Sequence, residues 1–175
     1  MPCACQIPVP QYPETADWGP ILWTILHGLA ERAGSAAIPM DEVREWPKLI
    51  QATGLMLPCD KCRAHFTEFS KTHPITAGVG HSALTQFSNV PYSQIKTSVK
   101  TWFWELHNEI NQDNNKPVFA YEDLTTIYSE RINFQDLFWR LEPVIKKAIE
   151  LSGVPLMKWM NWVKSFKMMR AILSV

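Results

Sequence analysis

Apolar residues recur at helical steps along most of this chain. After a proline-rich start, Trp18, Leu22, Ile25 and Leu29 fall four, three and four residues apart, which predicts a helix with Asp17 as its N-cap and Gly34 at its end. The run MDEVREWPKLIQATGLML predicts a second helix. Its first turn is acidic, Pro47 lies near enough to the start to be tolerated or to bend it, and Pro58 closes it. A third helix opens at or beside Cys59 and runs to Lys71. THPITAGVGHSALTQFSNVPY reads as a loop by its Gly, Pro and Ser content. Ile95, Val99, Trp102, Leu106 and Ile110 then trace one apolar stripe of a fourth helix, stopped by NQDNNKP. Tyr121 to Tyr128 suits one short helix, and residues 134–151 and 155–173 give two more amphipathic segments separated by Gly153 and Pro155. No strand alternation, internal repeat or low-complexity tract interrupts this pattern. The expected class is all-α: a four-helix bundle with a short fifth helix and a helical C-terminal extension. The expected division is an extended arm over 1–16, the bundle over 17–130 and the extension over 131–175.

Composition narrows this picture. With 175 residues, 46% hydrophobic and with eight Trp and eight Phe, the chain has enough apolar surface for a core without disulfide staples. Lys plus Arg equals Asp plus Glu at 17 each, so no bulk charge draws it to nucleic acid or to anionic membrane. No apolar run approaches the ~20 residues of a membrane-spanning helix. The opening MPCACQIPVPQYPE lacks the basic start and apolar stretch of a signal peptide, which gives a cytoplasmic default.

All four cysteines come in close pairs, Cys3-Ala-Cys5 and Cys59-Asp-Lys-Cys62. In a reducing compartment such pairs point to redox chemistry or to metal. On a helix, Cys59 and Cys62 share a face, and a cysteine at a helix N-terminus is biased towards thiolate by the dipole. Lys61 and Arg63 add positive charge beside them. The competing reading is zinc, since CxxC is also a zinc half-site, but CxC on a proline-rich arm is a poor second half. No metal site is therefore expected.

Five histidines are present: His27, His65, His73, His81 and His107. His73 and His81 fall in the loop and read as surface residues. Trp23 and His27 are four apart, as are His107 and Asn111, with Asn108 between them in HNEIN. Two histidines, two asparagines and an aromatic turned inward from two helices are costly to bury without partners. A flat polar ligand is one partner; a hydrogen-bonded core network is the other.

Three motifs, WGPILWTILH, LPCDKCRAHF and HNEINQDNNKP, occur in this order. Together they resemble the FAD-linked sulfhydryl oxidases of the Erv/ALR type over residues 17–121. The resemblance implies a helical bundle that holds FAD in its mouth with the CxxC disulfide against the flavin ring. It implies that Cys62 is the flavin-proximal thiol and that Cys59 exchanges with incoming thiols. It assigns Gly19, Trp23, His27 and His65 to the flavin, His107, Asn108 and Asn111 to the adenosine half, Lys116 to the flavin and phosphates, and Tyr121 to a place over adenine. The implied activity oxidises protein dithiols to disulfides, passing electrons through Cys59–Cys62 to FAD and then to oxygen, with hydrogen peroxide as product. The implied assembly is a homodimer. Family oxidases often carry a second cysteine pair on a flexible arm, a shuttle role that would fall here to Cys3 and Cys5; the alternative is that these two are incidental terminal thiols.

Two departures from the family stand out. Cellular members commonly carry a further cysteine pair that ties the segment after the fourth helix back to the bundle, yet no cysteine follows Cys62. The extension has no counterpart in the small cellular members, whereas larger virus-encoded relatives have additions. The lack of a targeting segment suits a virus- or phage-encoded enzyme acting in host cytoplasm or virion. Phe134, Leu137, Phe138, Leu141 and Ile145, then Leu156, Trp159, Met160, Val163 and Phe166, are the expected apolar stripes of the extension, with Lys158, Lys164, Lys167 and Arg170 as a basic face. These stripes either cap the bundle or form a partner surface. The alternatives to an oxidase are a zinc-stabilised helical interaction module and an inactive scaffold of the same fold.

Overall fold

The computed structural model describes residues 10–73 and 91–175. Among these the chain forms seven α-helices and no strand: α1 (Thr15–Ala30), α2 (Pro39–Met56), α3 (Asp60–Thr72), α4 (Ile95–Asp113), α5 (Asp123–Tyr128), α6 (Phe134–Glu150) and α7 (Leu156–Leu173). A short 3-10 turn, Tyr92–Gln94, leads into α4.

The first helix starts earlier than its apolar pattern suggests. Glu14, not Asp17, is the N-cap, and Asp17 sits at N3 of a capping box, its carboxylate accepting from the Glu14 N–H at 2.7 Å. The helix therefore begins inside the segment expected to be arm. α1 ends at Ala30, and the turn behind it closes at Gly34, which holds φ +83°, a conformation favoured by glycine. The Gly34 N–H donates to the buried Glu42 carboxylate at 2.9 Å, and so do the Trp46 indole (2.9 Å) and the Tyr92 hydroxyl (2.7 Å). One carboxylate thus fixes the α1–α2 turn and the approach to α4, with its lone pairs satisfied as burial demands. α2 opens on Pro39, whose missing N–H costs nothing in the first turn.

The expected stripe of α4 is buried through Ile95, Val99, Trp102 and Leu106, with Ile110 half-buried. The α6 stripe is buried in full: Phe134, Leu137, Phe138, Leu141 and Ile145. In α7 the face differs from the expected one. Trp159 and Phe166 are buried, but Trp162, Met169 and Leu173 accompany them, while Leu156 and Met160 face outward. Apolar residues recur on every side of α7, interspersed with Lys158, Asn161, Lys164, Lys167 and Arg170, so spacing alone does not choose its inner face. Arg170 and Lys158 are likewise half-buried rather than part of an open basic face; Arg170 donates to Gln135 and to the Val175 carbonyl, each at 3.0 Å.

The extension shares one core with the bundle. α6 lies on α1 and α7 on α2. A column of stacked rings, Phe138, Trp159, Trp162 and Phe166, lines this junction, and the Trp162 indole donates to Thr53 of α2 at 3.0 Å. The segment after α4 is tied back without cysteines. Asn108 exchanges two hydrogen bonds with the Phe119 backbone (2.9 and 3.2 Å) and the Trp104 indole donates to the Phe119 carbonyl (2.9 Å). Lys100, ion-paired to buried Glu31, donates to Thr125 at 2.8 Å, and Arg32 donates to the Glu130 carbonyl at 3.0 Å. Polar clasps at Phe119, Thr125 and Glu130 thus hold the segment that the missing cysteine pair would otherwise brace.

Candidate active site

The α2–α3 joint positions the two cysteines. Pro58 stops α2, and Cys59, in an extended conformation (φ −131°, ψ 118°), is the N-cap of α3. Cys59 and Cys62 are bonded to each other as a disulfide, with Cα atoms 5.1 Å apart. The Cys62 N–H donates to the Cys59 sulfur at 3.1 Å. The same N–H and the helix dipole would stabilise a Cys59 thiolate after reduction.

The two sulfurs have different surroundings. Cys59 lines a cleft bounded by the start of α1, the first turn of α3 and Gly153. Cys62 lies one turn along, on the face of α3 that carries His65. The His65 imidazole meets Glu109 (2.8 Å) and Asp113 (3.4 Å) of α4, so this face looks towards α4. Arg63 donates to the Leu57 carbonyl, to Asp60 and to the Gly153 carbonyl (3.2 Å), clamping the disulfide turn to the α6–α7 turn.

α1 and α4 bring Trp23, His27 and His107 together. The Trp23 and His107 rings stack at 4.0 Å and 6°, and His27 Nε2 lies 3.1 Å from His107 Nδ1. Tyr128 stacks on His27 at 4.7 Å and Phe119 meets both imidazoles edge-on. Burial, then His107 and Lys100, push the His27 imidazole down to about 3. Burial, then Lys116, pushes His107 down to about 4. Both rings are therefore neutral at pH 7, and the hydrogen between them belongs to one of two neutral tautomers.

The remaining expected residues take varied positions. Gly19 is buried, and a Cβ there would meet only the Thr15 methyl at 3.5 Å. Asn108 holds Phe119, as above. Asn111 is half-buried and its carbonyl accepts from the Asn114 and Lys116 N–H groups (3.2 and 2.8 Å), turning the chain at Asn115. Lys116 is exposed beside this cluster. Tyr121 lies edge-on to Trp104 at 5.7 Å with the Lys100 ammonium over its ring at 5.4 Å. Cys3, Cys5 and His81 lie outside the described residues. His73 stacks on Phe69, away from the cluster.

Sequence reasoning missed Tyr128, Phe119 and Lys100, and it read Arg63 as a nearby positive charge rather than as the clamp on the disulfide turn. Lys100 stands seven residues before His107, which returns it to nearly the same helix face, and that spacing was its signal. Phe119 lies in the segment between α4 and α5 and Tyr128 ends the short α5, so neither shares a helix face with the histidines. Among the described residues no three His, Cys, Asp or Glu side chains gather as metal ligands.

A model of the Erv1 / Alr family matches residues 20–132. Two proteins named FAD-linked sulfhydryl oxidase, from African swine fever virus isolates Pig/Kenya/KEN-50/1950 and Warthog/Namibia/Wart80/1980, are each 24% identical over 121 residues, covering 66% of this chain and 82% of the relative. No solved structure matches.

Proposed function

The chain belongs to the Erv1/Alr family, and from that premise we propose that it is an FAD-dependent sulfhydryl oxidase that makes disulfides in protein dithiols. The observation that carries this reading is the Cys59–Cys62 disulfide at the α3 N-terminus, with Cys59 opening on a cleft and Cys62 one turn along towards α4. A substrate thiolate attacks the Cys59 sulfur and expels Cys62 as thiolate. The second substrate thiol attacks the resulting mixed disulfide at the substrate sulfur, and Cys59 leaves as thiolate beside the Cys62 N–H and the helix N-terminus. The substrate gains one disulfide and the protein holds two thiols, so electrons and protons balance.

The residues of the α1–α4 cluster fit FAD by their chemistry. Trp23 and the neutral imidazoles of His27 and His107 offer flat, uncharged, hydrogen-bonding surfaces, as a heteroaromatic ring requires. Lys116 supplies a cation for phosphate, and Asn111 and Tyr121 stand near the same turn. When bound, FAD would supply the two-electron acceptor for the Cys59–Cys62 dithiol, with oxygen as final acceptor and hydrogen peroxide as product. We assign Cys3 and Cys5 the relay between bulky substrates and Cys59.

One series of variants tests this reading. The purified chain is expected to be yellow and to oxidise dithiothreitol with formation of peroxide. Cys59→Ser and Cys62→Ser should each stop turnover and stay yellow; full oxidation by either would end the assignment. Cys3→Ser/Cys5→Ser should keep dithiothreitol oxidation and slow that of a folded protein dithiol. Equal rates on several protein substrates would remove the relay.

A further inference from the structure

Asp60 is the first residue of α3, directly behind Cys59. A carboxylate suits a helix N-terminus, yet it opposes a thiolate on the neighbouring cysteine. The two demands conflict as soon as the Cys59 sulfur carries charge. Arg63, three residues on, meets Asp60 in an ion pair.

Ion pairs of this kind on a helix surface are usually weak, because two free side chains must be held still. Arg63 is not free. Its side chain is 28% exposed, against 93% for Asp60. Besides Asp60, its guanidinium donates to the carbonyl of Leu57, the C-cap of α2, and to the Gly153 carbonyl at 3.2 Å. Its backbone N–H donates to the Cys59 carbonyl at 2.9 Å. Gly153 belongs to the α6–α7 turn, outside the family-matched residues 20–132, and the buried Val154 anchors that turn in the core. The guanidinium is therefore a cation fixed by the fold, and the exposed Asp60 carboxylate comes to it. The other titratable groups lining the Cys59 cleft are Tyr12 and Glu14, and Gln11 donates to Glu14 at 3.4 Å. Lys61 is exposed on α3, and His65, Glu109 and Asp113 meet one another on the Cys62 side.

We propose that Arg63 is a positioning residue for disulfide exchange: held by Leu57 and by the α6–α7 turn of the extension, it cancels the Asp60 carboxylate beside Cys59. In the exchange step the bond between Cys59 and the substrate sulfur breaks, the substrate disulfide forms, and the electron pair stays on the Cys59 sulfur. An uncancelled Asp60 would raise the energy of that thiolate and slow the step, since a more basic thiol leaves less readily. The extension thus acts on the reacting cysteine through one side chain. The proposal rests on the oxidase reading above and deepens it.

The test uses full-length protein with Cys3→Ser, Cys5→Ser and Cys62→Ser, so that Cys59 is the sole thiol, and follows its alkylation by iodoacetamide against pH. Arg63→Gln loses the charge and keeps an amide donor for the two carbonyls; Arg63→Met loses both. Each should lower the thiolate fraction of Cys59 at pH 7 about threefold. Adding Asp60→Asn should bring that fraction back to within about twofold of the parent protein, while the melting temperature lost with Arg63→Met stays lost. Arg63→Lys should keep the parent profile, because its charge still meets Asp60. Circular dichroism reports whether each variant is folded, and one folded neutral variant suffices. An unchanged profile in that variant overturns the proposal. So does a loss that Asp60→Asn fails to reverse, which would leave Arg63 as a structural clamp alone. The assay reads a thiol whose partner has been removed, so it needs neither oxygen nor turnover. A wild type that fails to oxidise dithiothreitol would therefore remove the oxidase reading and leave the effect of Arg63 on Cys59 to stand on its own.

Discussion

His27 and His107 illustrate how single residues set a pH limit on this fold. Both are held neutral when folded, His107 at about 4 and His27 at about 3. In the unfolded chain each would titrate near ~6.5. A depressed histidine lets the unfolded state bind the extra proton, so stability is intact above pH ~6.5 and falls as pH falls. The loss from His107 ends near pH 4 and that from His27 near pH 3. Between pH ~6.5 and ~5, before carboxylates dominate, each should cost about 1.4 kcal/mol per pH unit. Urea denaturation at several pH values measures the slope. His27→Gln/His107→Gln should flatten it whatever its effect on absolute stability, and equal slopes in the two proteins would show that these rings are not the cause. That both histidines turn inward was legible in the sequence from the i, i+4 spacing of Trp23–His27 and His107–Asn111, but their contact with each other, between two helices, was not. Their ring partners Phe119 and Tyr128 were not legible either, because one lies between α4 and α5 and the other ends α5, so neither shares a helix face with them.

Helices were legible wherever one face alone is apolar. The stripes of α4 and α6 read directly from spacing, and the break at Pro58 located Cys59 at a helix start. The start of α1 was misplaced because its capping box uses Glu14, an uncommon N-cap, and leaves Asp17 at N3. The inner face of α7 was misassigned because tryptophans and methionines surround it. Trp162 is the residue that decides this face: it is fully buried, stacked between Trp159 (5.2 Å) and Phe166 (5.1 Å), and bonded to Thr53. Trp162→Ala should cost about 3–5 kcal/mol in urea unfolding. Trp162→Phe keeps most of the contact and loses the bond to Thr53, and should cost about 1 kcal/mol. A loss under about 1 kcal/mol for the alanine variant would place α7 elsewhere. The same variants should raise the mobility of the Cys59 turn, since α2 carries the chain from Thr53 through Leu57 to the disulfide.

At the scale of the molecule, the bundle and its extension stand or fall together. No described helix is long and apolar enough to cross a membrane. Phe134, Leu137, Phe138, Leu141 and Ile145 of α6, and Trp159, Trp162, Phe166, Met169 and Leu173 of α7, are buried against α1 and α2. Each is worth about 1.5–3 kcal/mol of burial, and the sum exceeds the ~5–15 kcal/mol by which domains are stable. Ending the chain after Ser129 would return the matching faces of α1 and α2 to water and release the Gly153 wall beside Cys59. The truncated protein should lack a cooperative thermal transition and aggregate, even though it retains nearly all of the family-matched residues 20–132. For the full chain we propose a homodimer built on apolar side chains left exposed on neighbouring α2 and α7: Met40 and Leu55 on one helix, Met157, Met160 and Met168 on the other. Light scattering should then give twice the 20.1 kDa chain mass, and Met157→Lys/Met160→Lys should halve it without lowering the melting temperature at high dilution. A truncated protein that melts cooperatively would show that α6 and α7 are dispensable to the core, and a full chain of monomer mass at all concentrations would show that those methionines have no second copy to cover them.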